Sequence, residues 1–384
     1  MKISTMRNID RFLGTPVCLL MGFTKKFFFR HPVLNTERIH RILFIKFFGM
    51  GSIILATPAI SAVRRQYPGA SISFLSFEGH RELLECYPII DQILTINASS
   101  FWKLILDALH FLRHCYRSPY DVVFDLEFFS KFSTILGSGA GAAAHVGFAL
   151  PTTWRSLHLT HQIQLLKKNH VSEAFLDQVS LIIKPERVPN ILPPQISNAD
   201  DDAMFKKLPL NGKPIIAVNV NAGETFLERR WPPERFVELI SLLAANSSCV
   251  FYFIGTNDEY EYIQEIIGHS EYKVRCYNIA GMLSIPQLAA FLLRSELLIS
   301  NDSGPLHLAA ALNVEVIGFY GPESPQFYGP LTEKSSIFYK QISCSPCMNI
   351  YSAKTFRCPY NARCMKEISS AEVVHSFRKE VLSR

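Results

Sequence analysis

The sequence contains no hydrophobic run long enough to cross a bilayer as a helix. Its amino-terminal apolar segment extends from Phe12 to Thr24, is interrupted by Pro16 and is followed by Lys25 and Lys26. A transmembrane helix needs about 20 apolar residues, so this segment is too short. A small-residue cleavage site of the A-x-A kind is also missing, which argues against a cleaved export signal.

A basic excess is missing from the body of the chain. Residues 1–46 hold nine Lys or Arg against two acidic residues, whereas the whole chain has a net charge of only +6. We therefore expect no nucleic-acid partner. An apolar segment flanked by basic residues is typical of a helix lying on anionic lipid. Residues 1–38 are thus predicted to be a basic amphipathic extension that contacts an anionic membrane surface through residues 7–30. The alternative is a helix that packs on its own protein.

The nine cysteines come without a convincing export signal, which favours a reducing compartment. Five of them stand singly in apolar surroundings and are expected in the core: Cys18, Cys86, Cys115, Cys249 and Cys276. The other four form a C-x2-C pair and a C-x5-C pair: Cys344, Cys347, Cys358 and Cys364. Four thiolates at such spacing can hold a structural Zn²⁺, and free thiols or disulfides are the alternative.

Short internal repeats and low-complexity tracts are absent from the sequence, and apolar β-type runs alternate with helical patterns. The strand candidates form two series, 41–47, 71–77, 91–96 and 121–127, then 214–220, 249–255, 274–280, 296–302 and 314–321. Such alternation is typical of parallel sheets covered by helices. A stretch rich in Pro, Asn and Asp, 184–202, indicates a linker between the two series. We therefore predict an α/β protein of two Rossmann-like βα domains that face a cleft.

A turn in the second series carries the clearest functional signal. A buried strand is followed by Asn-Asp-Ser-Gly-Pro at 301–305, which suits the start of a helix. The free N–H groups and positive dipole of such a helix end can bind a pyrophosphate. His307, in the first turn, is close enough to reach the anion. The alternative is that Asp302 and Ser303 only cap the helix and His307 only packs.

Two more strand ends of the second series carry polar side chains. Asn221 ends one strand and is followed by Arg229 and Arg230, and guanidinium groups above a strand end suit a phosphate leaving group. A solvated arginine pair is the alternative. Asp258 and Glu259 follow the next strand, where a carboxylate can accept hydrogen bonds from a nucleoside, and helix capping is the equally good alternative.

The first glycine turn, Gly49-Met50-Gly51-Ser52, follows the strand at 41–47 and holds no acid, base or nucleophile stronger than a hydroxyl. A dinucleotide-binding oxidoreductase fits this turn poorly, because a third glycine is missing. Such an enzyme also needs an acidic residue at the end of the second strand, and Glu78, just after residues 71–77, matches that position only loosely.

These segments together resemble glycosyltransferase family 9, the lipopolysaccharide heptosyltransferase family of GT-B fold. The resemblance spans residues 40–370 and is carried by 42–70, 229–240, 301–322 and the cysteine-bearing tail. It implies an inverting, metal-independent transfer without a cofactor. The donor it implies is a nucleotide sugar, typically ADP-heptose, and the acceptor is a glycolipid such as lipopolysaccharide core. The enzyme would be peripheral on the cytoplasmic face of a bacterial inner membrane.

The resemblance also implies roles for individual residues. Asp302, Ser303, Gly304 and His307 would surround the diphosphate, Glu259 would face the nucleoside, and Arg229 stands where the family usually has a lysine that stabilises the leaving phosphate. The complete set of predicted substrate-binding residues is Gly49, Gly51, Ser52, Thr57, Asn221, Arg229, Glu259, Asp302, Ser303, Gly304 and His307, with no metal ligand.

The general base is the point of departure from the family pattern. The family's first glycine turn usually ends Gly-Asp, and the aspartate is thought to deprotonate the acceptor, whereas Ser52 stands here. A missing base costs a factor of about 10²–10⁴. Glu127 or Asp125 could replace it, or leaving-group stabilisation by Arg229 and positioning by Ser52 could carry the reaction. The alternative is a catalytically silent binder of sugar nucleotides or glycolipids. We favour an enzyme, because the donor-side residues are intact.

The expected domain bounds follow from the strand series and the resemblance. They are 39–185 for the acceptor-side domain, 186–204 for the linker, 205–366 for the nucleotide-sugar domain and 367–384 for a helix that crosses back to the first domain.

Overall fold

The computed structural model describes residues 1, 3–28, 33–150, 154–165, 169–184, 191–208, 212–223, 226–348 and 357–380. The chain divides into two compact units, Met1–Leu192 and Pro193–Arg384. Each unit is an α/β structure built around its own parallel sheet.

The first unit begins with two helices and continues as alternating strands and helices. Its elements are α1 (Ile3–Phe12), α2 (Gly14–Phe28), β1 (Arg41–Ile45), α3 (Met50–Gln66), β2 (Ser71–Phe77), α4 (Arg81–Glu85), β3 (Gln92–Ile96), α5 (Phe101–Arg117), β4 (Val122–Asp125), α6 (Lys131–Ser138), β5 (Ala144–Phe148), β6 (His161–Ile163) and α7 (Val171–Val179). The sheet order is β3-β2-β1-β4-β5-β6, and neighbouring strands pair in parallel.

The second unit repeats this plan. Its elements are α8 (Asn198–Lys207), β7 (Ile215–Asn219), α9 (Pro233–Ala245), β8 (Val250–Phe253), α10 (Tyr260–Gly268), β9 (Cys276–Asn278), α11 (Ile285–Leu293), β10 (Leu297–Asn301), α12 (Gly304–Ala311), β11 (Glu315–Tyr320), α13 (Pro325–Tyr328), β12 (Ser335–Tyr339), α14 (Arg363–Lys366) and α15 (Ser370–Glu380). The sheet order is β12-β11-β10-β7-β8-β9, again parallel.

The strand order places one switch point in each sheet. The chain reverses its direction of winding between β1 and β4 in the first sheet and between β7 and β10 in the second. Doubly wound sheets bind ligands at this point, outside the carboxyl ends of the strands. The loops after β1 and β4, and those after β7 and β10, are therefore where each unit is expected to hold its substrate.

Apolar side chains buried against its sheet stabilise each unit internally. In the first sheet the rings of Phe44 and Phe124 on neighbouring strands stack 5.1 Å apart. In the second, Trp231 is fully buried and stacks on Phe319 at 4.2 Å. Burying side chains of this size stabilises the fold by about 1.5–3 kcal/mol each.

The amino-terminal helices pack on the first unit through one face. The Asp10 carboxylate accepts a hydrogen bond from the Phe132 N–H at 2.9 Å, and His158 Nε2 bonds the Cys18 carbonyl at 2.7 Å. Large apolar residues on these helices stay exposed, and they are Phe12, Leu13, Val17, Leu20 and Phe23. The extension is thus helical and attached to the protein, which is the alternative considered above, and it also keeps an apolar surface. Residues 29 and 30 of the predicted membrane contact lie outside the described residues.

The predicted linker, 186–204, needs correction at its carboxyl end. Residues from Asn198 onward form α8, which belongs to the second unit. Ser197 and Asp200 form a reciprocal capping box, so the Asn and Asp residues that suggested a turn instead occupy the first turn of a helix. Residues 185–190 lie outside the described part of the chain.

The closing helix α15 packs against α9 of its own unit. The Ser370 hydroxyl donates to the Arg235 carbonyl at 3.1 Å, and Lys340 pairs with Glu372 at 3.0 Å. A crossing of this helix to the first domain stays a prediction, and residues 381–384 lie outside the described residues.

Across the described residues, each helix is either too short or too polar to span a bilayer.

Candidate active site

Residues predicted to bind the donor converge at the switch point of the second sheet. Arg229 ends a short 3₁₀ turn after β7, and Asp302 follows β10. Arg229 Nη1 pairs with Asp302 Oδ2 at 3.1 Å, and its Nη2 donates to the Ala222 carbonyl at 2.6 Å. The Asp302 carboxylate is nearly buried, whereas the Arg229 side chain is 22% exposed. The carboxylate therefore fixes the guanidinium in place and leaves part of it accessible to an anion.

Buried hydrogen bonds hold the loop that carries Arg229 in one position. Asn301 Oδ1 accepts the Trp231 N–H at 2.8 Å, and Asn301 Nδ2 donates to the Val220 carbonyl at 2.9 Å. The Trp231 indole N–H donates to the Ile368 carbonyl at 3.1 Å. Buried groups satisfied in this way specify one loop position, so the guanidinium is held before a ligand arrives. Arg230 does not join the Arg229–Asp302 pair. Its guanidinium instead lies over the Tyr262 ring, 4.6 Å from the ring centroid.

The start of α12 is open in the way an anion site requires. Ser303 is the N-cap residue, yet its side chain makes no capping hydrogen bond. Its hydroxyl instead accepts from Asn219 Nδ2 at 2.7 Å and lies 3.0 Å from the Ser300 hydroxyl. The first N–H groups of the helix are thus left for a ligand. The view that Ser303 only caps the helix is wrong. His307 lies in the first turn of α12 and is buried, and its contact with the anion stays a prediction.

Asn221 is an unsatisfied buried side chain beside this helix end. It is 3% exposed, and neither its Oδ1 nor its Nδ2 has a hydrogen-bond partner among the described residues. A buried amide without partners costs about 1–3 kcal/mol, so a ligand that satisfies it gains that much. A Cβ placed on Gly255 would lie 3.0 Å from Glu259 Oε2 and 3.2 Å from Asn221 Nδ2. Asn221 and Glu259 therefore line the same small space.

Glu259 also caps its own turn. Its Oε2 accepts the Thr256 N–H at 2.9 Å in a capping box. The capping alternative is therefore realised, and the proximity to Asn221 leaves a nucleoside contact as a prediction.

Glu323, after β11, is a site residue that sequence reasoning missed. Burial, followed by the negative charge of Asp302, raises the pKa of Glu323 to about 8. A carboxyl with this pKa is mostly protonated at neutral pH, and its Oε1 accepts a hydrogen bond from the Ser324 N–H at 3.0 Å. Its sequence context, a Pro-rich turn, carries no sign of this, because the effect comes from Asp302 on a different strand.

In the first unit Glu127 holds the loop after β1. Its Oε1 accepts from Lys46 Nζ at 3.0 Å and from the backbone N–H groups of Phe47 and Phe48 at 2.7 and 2.9 Å. Among the described residues, its other oxygen has no partner. The carboxylate is thus mainly a positioning group for the Gly49 loop, and a role as base stays a prediction.

Asp125 cannot serve as the base. Its side chain is fully buried and pairs with Arg155 Nη2 at 2.6 Å. The hydroxyls of Ser133 and Thr134 also donate to it, at 3.0 and 2.7 Å. A carboxylate engaged in this way is a structural anchor at the end of β4, because no acceptor can reach it.

The glycine turn after β1 is built for close packing. Gly49 has φ of 87°, and a Cβ there would lie 3.3 Å from Ser52 Oγ, so the position favours glycine. Gly51 is buried and Ser52 is half-buried. Thr57 needs correction as a substrate contact: it is buried, and its hydroxyl donates to the Ile54 carbonyl at 2.7 Å and accepts from the Leu192 N–H at 3.1 Å.

Among the described residues, the four cysteines of the tail form no disulfide bond. Burial, followed by the nearby Cys358 and Cys344, raises the pKa of Cys347 to about 11. These three cysteines therefore lie close to one another. Within the described residues, no group of three or more His, Cys, Asp or Glu is arranged to hold a metal ion.

The sequence model of glycosyltransferase family 9 (heptosyltransferase) matches residues 109–355. A lipooligosaccharide heptosyltransferase 2 of Haemophilus ducreyi is 24% identical over 309 residues, which cover 77% of this chain and 88% of that protein.

Solved structures resemble the chain over most of its length. The Escherichia coli ADP-heptose lps heptosyltransferase II is 20% identical with a TM-score of 0.71, covering 89% of this chain and 99% of that one. A glycosyltransferase family 9 protein from Veillonella parvula is 22% identical with a TM-score of 0.74, covering 90% of this chain and 98% of that one. The predicted GT-B architecture is thereby confirmed.

Proposed function

Because the chain belongs to glycosyltransferase family 9 and is a glycosyltransferase, we propose that it transfers heptose from ADP-heptose to a lipopolysaccharide-core or related glycolipid acceptor. ADP-heptose is the donor named for the similar Escherichia coli structure, and lipooligosaccharide is named for the Haemophilus relative. The family membership does not support the alternative of a silent binder.

The observation that carries this proposal is the partly exposed Arg229 guanidinium, fixed by Asp302 at the uncapped start of α12. During transfer the bond between the anomeric carbon and the phosphate oxygen breaks, and its electron pair stays on the diphosphate. Preorganised positive groups stabilise that developing charge. Arg229 and the helix N–H groups supply this positive potential. Glu323, because it is protonated, adds no negative charge beside them.

Asn221 and Glu259 extend this site towards the nucleoside. The Asn221 amide offers both a donor and an acceptor, and the Glu259 carboxylate offers an acceptor. We propose that they contact the ribose or the base of the nucleotide.

We also propose that the enzyme is peripheral, on the cytoplasmic face of a bacterial inner membrane, and that residues 7–30 contact the anionic surface. Support comes from the exposed apolar side chains of α2, with Leu20 69% exposed. Helix α5 adds Trp102, Leu106 and Leu109, beside the exposed basic Lys103. Apolar side chains mixed with Lys and Arg are typical of a helix at the lipid interface.

Transfer is tested by incubating the purified protein with ADP-heptose and a heptose-free lipid core, and weighing the lipid by mass spectrometry. We expect a lipid heavier by one heptose, together with released ADP. Arg229→Gln should lose product, whereas the neighbouring Arg230→Gln, whose side chain stacks on Tyr262, should keep it. ADP-heptose binding without product on any acceptor would overturn the proposal.

Membrane contact is tested by flotation with vesicles of phosphatidylglycerol or of phosphatidylcholine alone. Binding is expected only to the anionic vesicles, and changing Leu20 and Phe23 to Glu should abolish it. Val274→Glu, at an exposed apolar position of the second unit, is the matched control. Equal flotation of all three proteins would refute the contact.

A further inference from the structure

A cavity of about 400 Å³ opens at the carboxyl ends of β1, β2 and β3 in the first unit. Its wall includes Phe48 and Gly49 from the loop after β1, His80 from the turn after β2, and Asn97 from the loop after β3. The volume is that of a small-ligand site. The cavity thus borders the glycine turn in which Ser52 replaces the expected aspartate.

His80 is held in this wall with a defined tautomer. The Ser76 hydroxyl donates its only proton to the Lys46 carbonyl at 2.6 Å. The same hydroxyl lies 2.9 Å from His80 Nδ1, so it can only accept there, and Nδ1 must carry the proton. Nε2 therefore bears the lone pair, and among the described residues it has no hydrogen-bond partner.

Burial, with help from the positive charge of Lys46, keeps the His80 ring neutral. Burial lowers the pKa of His80 to about 4; the positive charge of Lys46 acts in the same direction, and Glu127 opposes it. Glu78, on the same turn, is paired with Arg81 at 2.8 Å. The Met1 ammonium, also in the cavity wall, bonds the carbonyls of Ala98 and Ser99. The imidazole is therefore a free proton acceptor at neutral pH, as an aspartate would be.

We propose that His80 Nε2 is the general base that deprotonates the acceptor hydroxyl, in place of the carboxylate that Ser52 lacks. As the acceptor oxygen attacks the anomeric carbon, its proton moves to Nε2. The bond from that carbon to the phosphate oxygen breaks, and the electron pair leaves with the diphosphate. The imidazolium then returns its proton to solvent. Ser76 is the positioning residue, because it selects the tautomer.

This inference rests on the proposed transfer, and the first experiment separates the two. His80→Gln should lower kcat by roughly 10²–10⁴ while ADP affinity, measured by calorimetry, stays unchanged. Ser52→Asp added to His80→Gln should restore turnover, and imidazole should rescue His80→Ala. Ser76→Ala should give a smaller loss. His110→Gln, at an exposed histidine on α5, is the matched control and should behave as wild type.

Three outcomes are decisive. Wild-type turnover in His80→Gln would overturn the role of His80 while leaving the transfer intact. Loss of both turnover and thermal stability in His80→Gln, with no rescue of His80→Ala by imidazole, would make the residue structural only and equally overturn it. Absence of product from the wild type would refute the transfer instead.

A second measurement holds whatever the substrate proves to be. Long-range ¹H–¹⁵N NMR on histidine-labelled protein, with His80 assigned by its absence in His80→Gln, reports the tautomer. A proton on Nδ1 at neutral pH is expected. A proton on Nε2, or a charged ring, would overturn the proposal.

Discussion

Replacing Arg155 by Met should destabilise the first unit strongly. Arg155 and Asp125 both have side chains that are 0% exposed, and they pair at 2.6 Å. The guanidinium also donates to Thr134 at 2.6 Å and to the Glu127 carbonyl. Removing it leaves a buried carboxylate held only by neutral donors, and breaking a buried pair in this way costs about 3–5 kcal/mol.

The expected shift in melting temperature follows from the size of the unit. For a unit of 150–250 residues, 1 kcal/mol moves the melting temperature by about 2–4 °C, so Arg155→Met should lower it by about 6–20 °C. Differential scanning calorimetry measures this, with the transition of the second unit as an internal reference. Adding Asp125→Asn should recover part of the loss, because the buried charge is then gone.

The control is an ion pair whose side chains are accessible to solvent. Arg294 and Asp201 pair at 2.7 Å with side chains that remain well exposed, and such pairs contribute about 0–1 kcal/mol. Arg294→Met should therefore change the melting temperature little. If Arg155→Met behaves like this control, or if Asp125→Asn recovers nothing, the assignment of Asp125 as a structural anchor is refuted.

Two further predictions concern the proposed donor site around Arg229. Arg229→Gln should lower kcat by roughly 10²–10³, as expected for loss of one preorganised group facing the leaving charge. Arg229→Lys should lower kcat less, because it keeps the positive charge. Steady-state product formation measures both effects. ADP affinity should fall as the pH rises through about 8, because Glu323 then ionises and repels the diphosphate, whereas in Glu323→Gln calorimetry should find no such fall. Glu323 should also make the free energy of unfolding of the second unit fall as the pH rises from 4.5 to about 8. Over that pH range the folded state keeps a proton that the unfolded chain has released.

The control for Arg229 is Arg230→Gln, which removes a neighbouring charge without touching the site. Equal losses in the two variants would show a general effect of charge rather than a specific contact. For Glu323, an identical pH dependence in wild type and Glu323→Gln would place the responsible group elsewhere.

Local patterns predicted the parts of the site that are local in sequence. The strand end and helix start around Asp302 are encoded in consecutive residues, because glycine and proline act within one turn. The alternation of strands and helices was also sufficient for the two-sheet architecture. Short edge strands such as β6 and β12 were missed, because a few half-buried residues show little periodicity.

Roles set by distant partners could not be read from the chain. Asp125 lies at the expected strand end, but its function is decided by Arg155, thirty residues later in sequence. The role of His80 is set in the same way: its tautomer depends on Ser76, which is itself oriented by the carbonyl of Lys46 just after β1. Electrostatic and hydrogen-bond effects of this kind require the tertiary structure.

The burial of Trp231 gives the protein a built-in optical reporter. Of the three tryptophans in the chain, Trp231 is fully enclosed in the second unit, whereas Trp102 and Trp154, in the first, are 73% and 48% exposed. Changing the latter two to Phe leaves a single indole whose emission reports on the second unit alone. Unfolding of the second unit can then be followed by fluorescence in the intact enzyme.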